Sequence, residues 1–176
     1  EVGIYDDDIH IHSQELNMVF TSQAFAGFEE KPPHMQFVGP VKGRPNLAPF
    51  DWERLAEAQT PKIFVSLGTL LVDIRKEFFQ KLISAFEHEP VTIIAATNPD
   101  IFEQWPANFI VNGFVPQSEL MPHMDAVICH GGFNTVNDTF SNGLPMLITP
   151  IAYDHFHTAK LIVQAGCGIS IRYKRL

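Results

Sequence analysis

A doubly wound α/β domain is what residues 62 to 176 predict, and three observations carry the prediction. Six short runs rich in apolar and β-branched residues recur along this stretch: Lys62–Leu67, Val91–Ala96, Phe109–Asn112, Ala126–Cys129, Met146–Thr149 and Ile169–Ile171. They are apolar throughout instead of alternating, the pattern of strands buried on both faces of a sheet. Segments with helical spacing lie between most of them, and helical crossovers are what join parallel strands.

Taken in order, the elements begin with a segment of about sixty residues of another character. "DDD" at 6–8, "EEKPP" at 29–33 and "GPVKGRPNLAP" at 39–49 place breakers around two short apolar runs, "MVF" and "QFV". This reads as a connecting segment. Asp51 is placed to cap a short helix over "WERLAEA", ahead of the first strand. Arg75–His88 carries Phe78, Phe79, Leu82, Ile83 and Phe86 at spacings of one, three and four, which predicts an amphipathic helix. A further helix starts near Phe133 and stops at Gly143 and Pro145, the usual Gly-then-Pro ending. Phe156–Gln164 repeats the helical pattern, and only "RYKRL" follows the last strand, so the domain is expected to stop without its closing helix.

Composition narrows the function classes. With 12 Lys+Arg against 20 Asp+Glu, a formal charge of -8, no basic stripe is available to neutralise a nucleic-acid backbone. The two cysteines, Cys129 and Cys167, make neither a disulfide framework nor a metal spacing, and buried thiols of a reducing cytoplasm fit them best. The longest apolar stretches fall short of the roughly 18 to 20 residues of a membrane-spanning helix, and no signal peptide opens the chain. Eight histidines invite a metal reading, but His155 and His157 do not share a helix face. His10 and His12 share one only in a strand, and no complete ligand set accompanies them. A nucleophile elbow is absent as well.

Four strand ends carry polar or aromatic groups, and ligands sit at the carboxyl edge of such sheets. The first is Gly68-Thr69, which either turns the chain or offers a close backbone approach and a hydroxyl to an anion. At the second, "HGGFNT", the strand runs into His130, Gly131, Gly132 and a helix whose first turn attracts anions. There Asn134 and Thr135 add hydrogen bonds, and His130 is either a donor to phosphate or a satisfied core histidine. The third, "GFVPQSEL", offers Phe114 as a stacking surface or a core residue, with Gln117 for polar contacts. In the fourth, "PIAYDHFHTA", Asp154 either accepts from sugar hydroxyls or caps the helix.

In their order and spacing, "FVSLGT", "GFVPQSEL", "HGGFNTVNDTFSNGLPM" and "PIAYDHFHTAKLIVQAGCG" resemble the donor-binding half of nucleotide-sugar-dependent glycosyltransferases of the GT-B fold. The similarity is to the bacterial macrolide, flavonoid and carotenoid branch and its plant and animal UDP-glycosyltransferase relatives, and it covers residues 36 to 176. It implies a Rossmann-like sheet, with residues 1–40 as the end of the acceptor domain and the interdomain linker. Residues 41–176 are then the donor-binding domain, truncated at its C-terminal end.

The resemblance also implies roles. Phe114 stacks on the base where many relatives have Trp, the Val115 backbone reads the base edge, Gln117 lies near base and ribose, and Asp138 reaches the ribose. Gly68, Thr69, His130, Gly132, Asn134 and Thr135 hold the diphosphate. Asp154 and His155 contact the transferred sugar, with His155 in place of a usual Gln and Thr158 in place of a frequent Asn. The co-substrate is a UDP-sugar first and a TDP-sugar second, with no metal and no cofactor. The reaction is inverting transfer to a hydroxyl of a small lipophilic or natural-product acceptor. No catalytic residue is expected in this chain, the general base being a His of the missing N-terminal domain, so the fragment alone is expected to bind donor weakly and turn nothing over. Two alternatives stay open: a donor-binding subunit or module acting with a separate partner, as in split N-acetylglucosaminyltransferases, and a nucleotide-sugar epimerase of the same architecture.

Overall fold

The computed structural model describes residues 15–41, 46–68 and 74–175. By its contacts the chain divides into two compact units, Glu1–Val41 and Lys42–Leu176. In the first unit the runs "MVF" and "QFV" do more than connect. Strand β1 (Asn17–Val19) pairs in parallel with β2 (Met35–Phe37), Asn17 opposite Met35 and Val19 opposite Phe37. Between them lies the one-turn helix α1 (Gln23–Ala26), whose N-cap Ser22 accepts the Phe25 N–H at 3.2 Å. The helix stops at Gly27, where φ is 76°. Set among breakers, neither run shows a strand period of its own, and each is a strand through pairing with the other.

The second unit holds six parallel strands: β3 (Lys62–Ser66), β4 (Thr92–Ala96), β5 (Phe109–Asn112), β6 (Ala126–Cys129), β7 (Met146–Ile148) and β8 (Gly168–Ser170). Their boundaries lie within a residue or so of the expected ones. The order across the sheet is β5-β4-β3-β6-β7-β8. From the centre, the chain winds outward through β4 to β5, returns to β6 beside β3, and winds outward the other way. That reversal between β3 and β6 is the topological switch point of a doubly wound sheet, and Ser66 lies opposite Cys129 across it.

Helix α2 (Trp52–Glu57) precedes the sheet, and Asp51 caps it as expected, accepting the Arg54 N–H at 3.0 Å. Its Arg54 guanidinium also donates to the carbonyls of Ala107 and Phe109, satisfying one acceptor just ahead of the edge strand β5 and one at its start. Helix α3 (Arg75–Phe86) buries Phe78, Phe79 and Leu82, which pack with Val65, Leu67, Ile93, Ala95, Phe109 and Ile128 on one face of the sheet. Each such side chain stabilises the fold by about 1.5 to 3 kcal/mol relative to exposure. On the opposite face Phe64, Ile94, Val127 and Ile148 are equally buried, so the central strands are covered on both sides.

The passage from β4 to β5 has no α-helix. A 3₁₀ turn at Pro99–Ile101 is followed by Trp105, whose indole N–H donates to the Pro99 carbonyl at 2.8 Å. Its ring sits 4.9 Å from Phe102 and 5.7 Å from Phe79, centroid to centroid. Edge-to-face aromatics fill the space that a crossover helix would occupy. The remaining helices are α4 (Gln117–Leu120), α5 (Phe133–Ser141) and α6 (His155–Gln164), with a final 3₁₀ turn at Tyr173–Arg175.

Candidate functional site

The polar groups of four strands meet at the carboxyl edge of the sheet, around the switch point. At the end of β3, the Gly68 N–H donates to Ser66 Oγ at 3.2 Å and the Gly68 carbonyl accepts from the Arg75 guanidinium at 2.6 Å. Gly68 has φ of 68°, a left-handed backbone that glycine adopts without strain. Thr69, expected beside it, lies outside the described residues.

From β6 the chain enters His130, which is 8% exposed, and its imidazole is wedged between two glycines. A Cβ on Gly68 would lie 2.8 Å from the ring, and one on Gly132 would overlap its Nε2. Both positions therefore need glycine because the imidazole occupies the space of a side chain. Nδ1 faces the Ser66 carbonyl at 3.4 Å, which ties the end of β6 to the end of β3. Gly132 is the N-cap of α5, so no side chain of its own caps the first turn.

The chain leaving β5 must travel back across the sheet to reach β6, and this return brings α4 beside α5. There the Gln117 amide donates to Asp138 Oδ2 at 2.6 Å and accepts from the Thr135 hydroxyl at 3.3 Å. Three residues expected to serve base, ribose and diphosphate thus form one hydrogen-bonded set. Thr135 is buried, Asn134 beside it exposed, and Val115 buried. Phe114 is 65% exposed, which removes the core alternative for its ring.

After β7, Asp154 occupies the N-cap position of α6 but its carboxylate makes no capping hydrogen bond and stays exposed, so the capping alternative fails too. His155 turns inward: its Nδ1 accepts the Ala152 N–H at 3.3 Å, and its ring meets that of His130 edge to face, centroids 4.5 Å apart at 87°. Burial holds both imidazoles below their ordinary pKa, His130 being lowered further by His155, while Asp154 opposes the shift in each. Burial pushes the Cys129 thiol up to about 12, so it is inert in the strand that carries His130.

Ser66, Arg75 and Tyr153 were not singled out from the sequence. Ser66 hides in an apolar strand, and Arg75 reads as an ordinary helix start. Tyr153, 83% exposed with φ of 53°, stands beside His155 with ring centroids 6.5 Å apart. A left-handed backbone at a bulky residue leaves no composition signal. Among the described residues no group of three or more His, Cys, Asp or Glu is placed to hold a metal ion, and no helix is long and apolar enough to cross a membrane.

Residues 78–176, more than half of the chain, match the family model described as Erythromycin biosynthesis protein CIII-like, C-terminal domain. The chain belongs to that family. Among curated relatives of this CIII-like domain, an uncharacterized UDP-glucosyltransferase, YdhE, of Bacillus subtilis (strain 168) is 32% identical over 163 residues, 89% of this chain and 40% of its own. The calicheamicin glycosyltransferase CalG4 superposes with a TM-score of 0.75 at 24% identity, over 92% of this chain and 41% of that one. The glycosyltransferase VinC, solved in complex with DTDP, superposes with a TM-score of 0.61 at 22% identity, over 87% of this chain and 39% of that one. The CIII-like sheet is thus that of the C-terminal domains of GT-B glycosyltransferases. The chain spans well under half the length of the curated relatives it matches.

Proposed function

We propose that the chain is the donor-binding part of an inverting glycosyltransferase that moves a sugar from a UDP-sugar, or second a TDP-sugar, to a hydroxyl of a small lipophilic or natural-product acceptor. The observation that carries the reading is the convergence at the switch point of His130, the two glycines that make room for it, and the Thr135–Gln117–Asp138 set. The first turn of α5, with His130, Asn134 and Thr135, holds the diphosphate and stabilises the charge that develops on it as the anomeric bond breaks. Thr69 belongs to the same grip. Phe114 presents its exposed face to the base, with the Val115 backbone at the base edge and Asp138 at the ribose. Asp154 and His155 face the transferred sugar.

The acceptor hydroxyl attacks the anomeric carbon from the side opposite the diphosphate, and its proton goes to a base on a separate acceptor-binding domain. Residues 1–40 are the end of that domain and its linker, and residues 41–176 the donor domain. The protein works in the cytoplasm, its two thiols free. The names of the UDP-glucosyltransferase relative and of the DTDP complex support a uridine or thymidine diphosphate donor.

Calorimetric titration with UDP-, TDP- and GDP-glucose tests the reading. Binding of the uridine or thymidine form in preference to the guanosine form is expected. A clear preference for the GDP-sugar overturns the base assignment, and no binding of any of the three by the folded chain overturns the function.

A further inference from the structure

We infer that His130 grips the diphosphate through a proton that it takes up on binding, and that His155 is the positioning residue that governs this uptake; the inference rests on the nucleotide-sugar reading above. The Ser66 carbonyl can only accept, so in the neutral ring the hydrogen sits on Nδ1, 3.4 Å away. A neutral imidazole has one N–H, which leaves a lone pair on Nε2. That atom lies against both glycines: it would be 2.9 Å from a Cβ at Gly68 and overlapped by one at Gly132. Gly132 is the N-cap of α5, so Nε2 sits beside the first turn of that helix, where the nucleotide-sugar reading puts the diphosphate. A lone pair repels a phosphate oxygen. Moving the hydrogen from Nδ1 to Nε2 forfeits the bond to Ser66, which is buried and ends β3. The remaining route is protonation: the Nε2 lone pair takes a proton from solvent, both nitrogens then donate, and one positive charge is added opposite the diphosphate.

His155 shapes this step from the other side. Its Nδ1 is committed to the Ala152 N–H, so its own hydrogen is on Nε2 and its ring is fixed edge to face on His130. Two charged imidazoles with centroids 4.5 Å apart repel, so the pair takes up one proton and not two. The other titratable and charged groups around the ring are few among the described residues. Asp154, ahead of α6, draws positive charge toward both rings. Arg75, opening α3, donates one guanidinium N–H to the Gly68 carbonyl. Asp138 of α5 is held by Gln117, and the Cys129 thiol stays neutral. With burial as the leading cause, His130 is neutral near pH 7 before the ligand arrives.

The test is calorimetric titration of the chain with UDP-glucose in buffers of different ionisation enthalpy between about pH 6 and 8, where an imidazole titrates. Both phosphates of this probe are bonded on two sides and lack the second ionisation near pH 6 of a terminal phosphate. Expected are a buffer-dependent heat reporting uptake of up to about one proton, and affinity rising by up to about tenfold per unit as pH falls. Imidazole ¹⁵N shifts of the unaltered chain should show the Nδ1–H tautomer alone and the doubly protonated ring in the complex. His155→Gln should move the uptake to higher pH by removing a ring that buries His130 and competes for its proton. A His155→Gln profile that superposes on the parent removes His155 from the role. Binding without proton uptake, with a neutral ring in the complex, overturns the inference and leaves the nucleotide-sugar reading standing. Failure of the folded chain to bind UDP-, TDP- or GDP-glucose overturns that reading and the inference with it.

Discussion

A methyl group is what the turn after β6 excludes. In Gly132→Ala the new Cβ lands on an imidazole that Gly68 blocks on its far side, so the ring must leave Ser66 or the turn must shift. Overpacking of this kind costs about 1 to 3 kcal/mol, and a lowered denaturation midpoint with an unchanged slope is the expected reading. Thr135→Val and His130→Ala should each weaken nucleotide-sugar binding by about 1 to 3 kcal/mol if they bond charged oxygens; unchanged affinity in folded variants would leave them only structural roles. The histidines also set a pH dependence of stability. Their folded-state pKa values lie below the ordinary 6.5, so below that pH the unfolded chain binds protons that the folded one excludes. Thermal midpoints of the ligand-free chain should therefore be flat above about pH 7 and fall as pH drops below about 6.5. His130→Asn should flatten part of that fall. His130 stood out in the sequence by its glycine neighbours, whereas its pairing with His155 did not, because nothing local marks two distant histidines as ring partners.

Helices and strands were legible wherever a buried face repeats. The spacing of Phe78, Phe79 and Leu82 announced α3, and these three side chains are its buried ones. Asp51 announced the start of α2, where it accepts the Arg54 N–H. Asp51→Ala should lower stability by about 1 kcal/mol, the worth of such a cap, measured by denaturant unfolding; a change within error would mean that Arg54 bonded to β5 anchors α2 by itself. Short elements outside the strand–helix alternation were not legible from periodicity. Strands β1 and β2 have three residues each and exist through each other. The passage through Trp105 has no period to detect, since its packing comes from rings on α3 and β5 as well as its own loop.

For the molecule as a whole, every group of the candidate site lies in the unit Lys42–Leu176. A chain beginning at residue 42 should bind the nucleotide sugar with the affinity of the longer one; a large loss would assign part of the site to the first unit. What the sequence by itself determined were the six strands, the helices α2, α3, α5 and α6 and the residue types at the strand ends. Each of these follows from local burial patterns and from the chemistry of single side chains. Only the tertiary structure decided the strand order that sets β3 against β6, the route that brings Gln117 to Asp138 and Thr135, and the seating of His130 between Gly68, Gly132 and His155. Periodicity reports that a face is buried and not against what; the partner is chosen by packing between segments far apart in the chain.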